Sequence, residues 1–322
     1  MKITSPQFNF KGYDAAPIKN IYINRNFADE VIDDLNSVLK EEDIALHPVT
    51  DLKNWYQDIR TFIQSDNQKP YVLSRMGLSS AFSDYVKRFD INVKPVETLC
   101  DGGNVFIGKN ENGEKWLMAG KISYKNIGKK SISNIYDVKQ ENIYPIPQQN
   151  FHLDMFLRPI GYPYVLVDNP NLVLKNVEDL QDGSEQMKHL LKRVKAHVNS
   201  KKHWAKVNST LEDLKKHGFV PIEIAGDYLP EVNFMNAIVH KRNDGTLSYI
   251  TNSSKNSSKT YLEFMNMFEN ELKSKVPNVA KVHFVEGKED FEGRNFVMSS
   301  LYNLSGGLHC MTLEEPDFEK WG

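Results

Sequence analysis

Short β-type runs alternate with amphipathic helical patterns along this chain, and that alternation limits its fold more than any other feature. Asn20–Ile23 predicts a strand, and Asn26 then fits an N-cap for a helix with Phe27, Val31, Leu35, Val38 and Leu39 on one face. Ala45–Val49 reads as the next strand. Val105–Ile107 and Lys115–Met118 flank Asn112-Gly113, a hairpin signal, and Tyr164–Val167 is a strand closed by Asn169-Pro170. Met187, Leu190, Leu191, Val194 and Val198 keep helical spacing. Ser209 with Glu212 predicts a capping box opening a further helix, which Gly218 would stop. Phe219–Ile224 and Phe234–His240 read as strands, and Leu262, Phe264, Met265, Phe268 and Leu272 mark an amphipathic helix. Val282–Val285 and Phe296–Tyr302 are expected as late strands. Such alternation, without a nucleotide-binding glycine fingerprint, predicts α/β architecture in a single domain over residues 1–322.

The bulk numbers exclude several classes. With 322 residues, 40% of them hydrophobic, the chain can bury a sizeable core. A net charge of −2 gives no general reason to expect nucleic acid or an anionic membrane as partner. No run approaches the roughly 18 apolar residues of a membrane span. Met1–Gln7 leads into polar sequence without a signal-peptide core, so a soluble, cytoplasmic protein is expected. An effector exported without a cleaved signal would look the same. Cys100 and Cys310 are the only cysteines, too few for a disulfide framework and without the spacing of a zinc site. Nine Lys or Arg residues lie between Lys188 and Lys216, which reads as a solvated helical face rather than a docking surface.

Four separated segments carry the candidate chemistry: Trp55-Tyr56-Gln57-Asp58, Asp101-Gly102-Gly103-Asn104, His152-Leu153-Asp154, and Gly306-Gly307-Leu308-His309-Cys310-Met311-Thr312. Cys310 is the candidate nucleophile, with Gly306-Gly307 allowing close approach of a substrate. A lone cysteine is more often a buried structural residue, so the other segments decide its reading. His152 is the candidate acid and base, because imidazole titrates near neutral pH. In a strand, His152 and Asp154 would face one side together. Asp58 and Asp154 suit a planar guanidinium fork, which carboxylates meet with paired, charge-assisted hydrogen bonds. Asp101 is a third, weaker candidate for substrate contact, beside Trp55 and Gly307. An H-x-D pair could also hold a metal, but no third ligand at sensible spacing accompanies it.

These segments resemble, in order and local sequence, the guanidine-modifying superfamily. Trp55-Tyr56-Gln57-Asp58 is similar to the W-x-Q-D of protein-arginine deiminases and the W-x-R-D of agmatine deiminases. Asp101-Gly102-Gly103-Asn104 is similar to their E-G-G-[DNS] strand opener, and His152-Leu153-Asp154 to their H-[VIL]-D. Gly306 to Thr312 resembles the G-x-H-C-x-T nucleophile segment, and Val232-Asn233-Phe234-Met235-Asn236 resembles the stretch before the penultimate helix. The resemblance implies an α/β propeller of five ββαβ units around a pseudo-fivefold axis. It also implies cofactor-free hydrolysis of a guanidine (arginine in a protein, free arginine or agmatine) through a covalent thiouronium on Cys310. Ile59 stands where animal protein-arginine deiminases carry an acidic residue, so no calcium dependence and no metal are expected. An amidinotransferase, or a non-catalytic binder of RNA on the same architecture, are the alternatives.

Overall fold

The computed structural model describes residues 15–320, apart from 51–59, 65–68, 76–79, 89, 150, 229–231, 256–258, 290–295 and 305. The strands fall into five three-stranded sheets of one design, each with a central strand antiparallel to one neighbour and parallel to the other.

The chain starts inside the first sheet. Strand β1 (Ile18–Asn24), helix α1 (Arg25–Glu41) and parallel strand β2 (Ala45–Val49) supply most of it. The second unit runs β3 (Arg60–Ile63), β4 (Tyr71–Ser74), α2 (Ser80–Arg88) and β5 (Asn92–Pro95). The third has the hairpin β6 (Val105–Lys109) and β7 (Lys115–Gly120), then α3 (Lys121–Ile127), α4 (Lys129–Tyr136) and β8 (Ile143–Ile146). Gly113 sits in that hairpin turn at φ +78°, a left-handed conformation that glycine adopts without penalty.

The fourth unit contains β9 (Leu157–Pro159), β10 (Tyr164–Asp168), three helices and β11 (Val220–Ile224). The helices are α5 (Pro170–Asp179), α6 (Glu185–Val198) and α7 (Lys201–Lys216). The fifth has β12 (Ile238–Lys241), β13 (Leu247–Asn252), α8 (Lys259–Lys275) and β14 (Val279–Val285). After α9 (Phe296–Leu304) and the short α10 (Leu308–Met311), strand β15 (Thr312–Pro316) pairs antiparallel with β1 and completes the first sheet. Every unit thus follows a ββαβ plan, with two helices in the crossover of the third and three in that of the fourth, because a parallel neighbour needs a crossover and an antiparallel one only a turn.

The helices seal the units. Phe264, Phe268 and Leu272 of α8 are fully buried with Tyr249 and Phe234. Burial of each such side chain stabilises by about 1.5–3 kcal/mol.

Four local expectations are corrected. Segment 296–304 is helix, not strand: Val297, Met298 and Leu301 are buried at spacings that a helix gathers on one face. The second basic helix opens at Lys201, where the Ser200 hydroxyl accepts the N–H of His203 at 3.2 Å, so Ser209 lies inside it. Strand β12 begins only at Ile238, because Asn233 Oδ1 accepts the N–H groups of Met235 and Asn236, both at 2.9 Å, and holds a turn there. Asn26 lies within the first turn of α1 rather than capping it.

Candidate active site

The site comes from equivalent places in successive units, the turns that immediately precede each first strand. Residues 102–104 form a 3-10 turn before β6, and 153–155 form another before β9. Asn233 to Asn236 precede β12, and α10 precedes β15. A bend at each of these points brings side chains far apart in sequence onto one centre.

Cys310, Asp154 and Asn236 form that centre. The Cys310 thiol lies 3.2 Å from Asp154 Oδ2, and the Asn236 amide donates to the same oxygen at 2.8 Å while standing 3.1 Å from Sγ. His309 Nδ1 also meets Asp154 Oδ2, at 2.8 Å. Asp154 is fully buried, and its Oδ1 has no hydrogen-bond partner among the described residues. His152 contributes a buried Nδ1, likewise without a partner there. The donor atoms of His152, Asp154 and Cys310 all lie within 4.8 Å of one another.

The expected strand at His152 and Asp154 is replaced by an extended His152 followed by the 3-10 turn. Asn104 builds that turn: its Oδ1 accepts the Leu153 N–H at 3.2 Å, and its amide donates to Phe151 O at 3.1 Å. Gln148 braces both, donating to Asn104 Oδ1 at 2.9 Å and to Phe151 O at 2.6 Å. Gly103 lies against the result. A Cβ there would fall 2.5 Å from His152 Nδ1 and 2.9 Å from Asp154 Oδ1, so only glycine fits.

The nucleophile segment is pinned through asparagine amides. Asn236 Oδ1 accepts the His309 N–H at 2.9 Å, and Asn252 Oδ1 accepts the Leu308 N–H at 2.8 Å. Gly307 admits both side chains; a Cβ on it would lie 2.7 Å from Asn252 Nδ2 and 2.8 Å from Asn236 Oδ1. Its role is to let these amides approach.

Electrostatics favour an ionised Asp154 beside a neutral His309. Burial pushes the Asp154 carboxyl up, but the His309 hydrogen bond, electrostatic attraction to the His309 and His152 imidazoles, and the Cys310 thiol outweigh it and hold it below its ordinary value. Burial and then the Arg158 charge push the His309 imidazole down to about 4, against the pull of Asp154. His309 therefore acts as a neutral donor at physiological pH.

The remaining candidates are placed differently. Trp55 and Asp58 lie outside the described residues. Asp101 is half-exposed, and its carboxylate meets Arg75 Nη1 at 3.2 Å. Cys100 is buried, and burial pushes its thiol up to about 11. Asn236, His309, Asn104 and Asn252 were not singled out by the sequence reading. Asn104, Asn236 and His309 do lie in the segments that carry the resemblance. A third metal-capable donor does accompany the H-x-D pair, but it is Cys310, 156 residues away, which local spacing could not show. These three could hold a soft divalent ion, although the same compactness also serves a thiolate nucleophile.

The chain has the α/β-propeller fold of the guanidine-modifying, or pentein, superfamily. Agmatine deiminase of C. jejuni superposes with a TM-score of 0.56 at 12% identity, over 94% of this chain and 95% of that one. A protein provisionally assigned as an agmatine deiminase gives 0.59 at 10% identity, covering 98% of each chain. SxtG, an amidinotransferase from Microseira wollei in saxitoxin biosynthesis, gives 0.50 at 10%, over 96% and 97%. No family model matches the chain, and no curated protein matches its sequence.

Proposed function

We propose that residues 1–322 form one catalytic domain that hydrolyses a guanidine to a ureido product and ammonia. The observation that carries this reading is the convergence of a thiol, an imidazole and a buried carboxylate within 4.8 Å, with Asp154 Oδ1 and His152 Nδ1 both lacking partners among the described residues. A guanidinium offers the donors that Asp154 lacks, and Asp58 is the proposed second clamp. Held flat, the guanidinium presents its carbon to Sγ. The Cys310 thiolate attacks that carbon, and the C–N bond breaks as His152 gives its proton to the departing amine. A thiouronium remains on Cys310. His152 then takes a proton from water, the resulting hydroxide adds to the carbon, and the C–S bond breaks as the added O–H gives its proton to solvent, which releases the ureido product and the thiolate.

Substrates of this class are arginine in a protein, free arginine and agmatine. Passing the amidino group to an amine instead of water would make the protein an amidinotransferase, an activity borne by one of the similar structures. An ammonia-release screen over arginine, agmatine and arginine peptides tests the reading, with an added amine acceptor to reveal transfer. Cys310→Ser is expected to abolish turnover, and Asp154→Asn to lose about 2–5 kcal/mol of transition-state stabilisation. Full activity in Cys310→Ser would end the covalent mechanism.

A further inference from the structure

A cavity of about 250 Å³ stands outside the chemistry above, at the carboxyl ends of β10 and β11. Asp168, Asp227, His197, His203, Phe156 and Val173 line it. Asp168 ends β10 and is 5% exposed. Its Oδ1 accepts the N–H groups of Gly226 at 2.8 Å and Asp227 at 2.9 Å, which leaves Oδ2 unengaged among the described residues. His203 is nine-tenths buried, and its Nε2 has no hydrogen-bond partner there.

The charge balance of this cavity is acidic. Burial, then the Asp227 charge, and more weakly Glu271 of α8, push the Asp168 carboxyl well above its ordinary range. Burial pushes His203 down to about 4, helped by His197 and Lys206, and lowers His197 as well. At neutral pH the imidazoles are neutral, and the Asp168 carboxyl is held toward its protonated form by burial and by the neighbouring Asp227 charge. Among the described residues no lysine or arginine lines the cavity; Lys206 reaches instead toward Gln149 O, at 3.5 Å. The donors are too dispersed for a single metal ion, since only His152, Asp154 and Cys310 bring three together among the described residues. An organic ligand of several atoms can span them.

We propose that this cavity is a second binding site, for a short alkyl diamine. One ammonium group sits at Asp168 and Asp227, where its charge favours the ionised carboxylates. The methylene chain lies against Phe156 and Val173, and the second nitrogen gives an N–H to His203 Nε2. The site does not depend on what reaction Cys310 performs. Acidification protonates the carboxylates that the ammonium needs ionised, so affinity falls as pH falls. Protonation of His197 and His203, beside Lys206, repels the ligand and acts in the same direction.

Isothermal titration of the full chain with 1,4-diaminobutane at pH 7.5 and 5.5, with butane-1,4-diol as the uncharged control, tests this. Asp168→Asn copies the neutral acid and keeps the Oδ1 acceptor, so its fold is expected to survive; Asp227→Asn provides an independent variant. Affinity is expected to drop about tenfold or more in both, to stay within about twofold in Asp154→Asn, and to weaken at pH 5.5. The diol should give no heat. Loss of binding in Asp154→Asn with retention in Asp168→Asn and Asp227→Asn would place the diamine at the Cys310 site and overturn the proposal. Absence of binding by the unaltered protein at millimolar diamine would overturn it equally.

Discussion

Asn236 does more than one job at the centre. Its amide nitrogen faces both Asp154 Oδ2 and Cys310 Sγ, while its oxygen holds the His309 backbone. A donor at 3.1 Å favours the thiolate, and a carboxylate in its place would disfavour it by like-charge repulsion. Asn236→Asp is therefore expected to move the alkylation of Cys310 by iodoacetamide to higher pH, by about one unit or more. Cys100 does not obscure this readout, because it is buried and its thiol is pushed up to about 11. An unchanged alkylation profile would show that Asn236 has no influence on the thiol. Asn236 was missed for a physical reason. An asparagine carries no titratable signature, and its value here comes from contacts 74 and 82 positions away.

At the scale of the element, the Ser200 cap fixes where α7 begins. Ser200→Ala should cost about 1 kcal/mol of stability, read as a lower urea midpoint at unchanged slope. An unaltered midpoint would mean that the α6–α7 junction is held by other contacts, such as the Trp204 Nε1 bond to Val198 O at 2.6 Å. The same junction shows what sequence reveals. Helix α7 was legible from its stop at Gly218, but Ser209-x-x-Glu212 imitated a start that Ser200 already supplied. The hairpin at Asn112-Gly113 and the strands β2, β10 and β11 were legible because period-two runs end there in strong turn residues. Segment 296–304 was not, since a short apolar run suits a buried helix and a buried strand equally. The candidate residues stood out in the sequence as a thiol, an imidazole and carboxylates in glycine-rich or rigid turns, and the structure brings Cys310, His152 and Asp154 together. Asp101, before Gly102-Gly103, meets Arg75, and it is the glycine at 103 that lies against His152 and Asp154.

Across the whole molecule, several imidazoles are buried in the neutral form. His309 and His240 are each pushed down to about 4, chiefly by burial, from an ordinary 6.5. The unfolded chain takes up these protons first, so stability falls as pH drops from 6.5 toward 4 and is fully present above 6.5. Each such group contributes a slope of about 1.4 kcal/mol per pH unit in that window. The depressed Asp154 carboxyl adds its own loss at the acid end, as pH falls from its unfolded value through its folded one. Urea midpoints measured between pH 7.5 and 4 check this. A flat profile between 6.5 and 4.5 would contradict buried neutral histidines.

The seam between β15 and β1 gives the reaction centre a place in time. Asn20 and Glu315 meet across it from 295 positions apart, and Cys310 sits just before the strand that makes this pairing. Closing so long a loop is entropically costly and comes late, whereas a hairpin such as β6–β7 can form alone. The other units can mature while the thiol is still far from Asp154. Refolding from urea should accordingly restore the far-ultraviolet dichroism before it restores turnover, with the delay set by how fast the seam closes. Simultaneous recovery of both signals would show that the ring closes as one cooperative event.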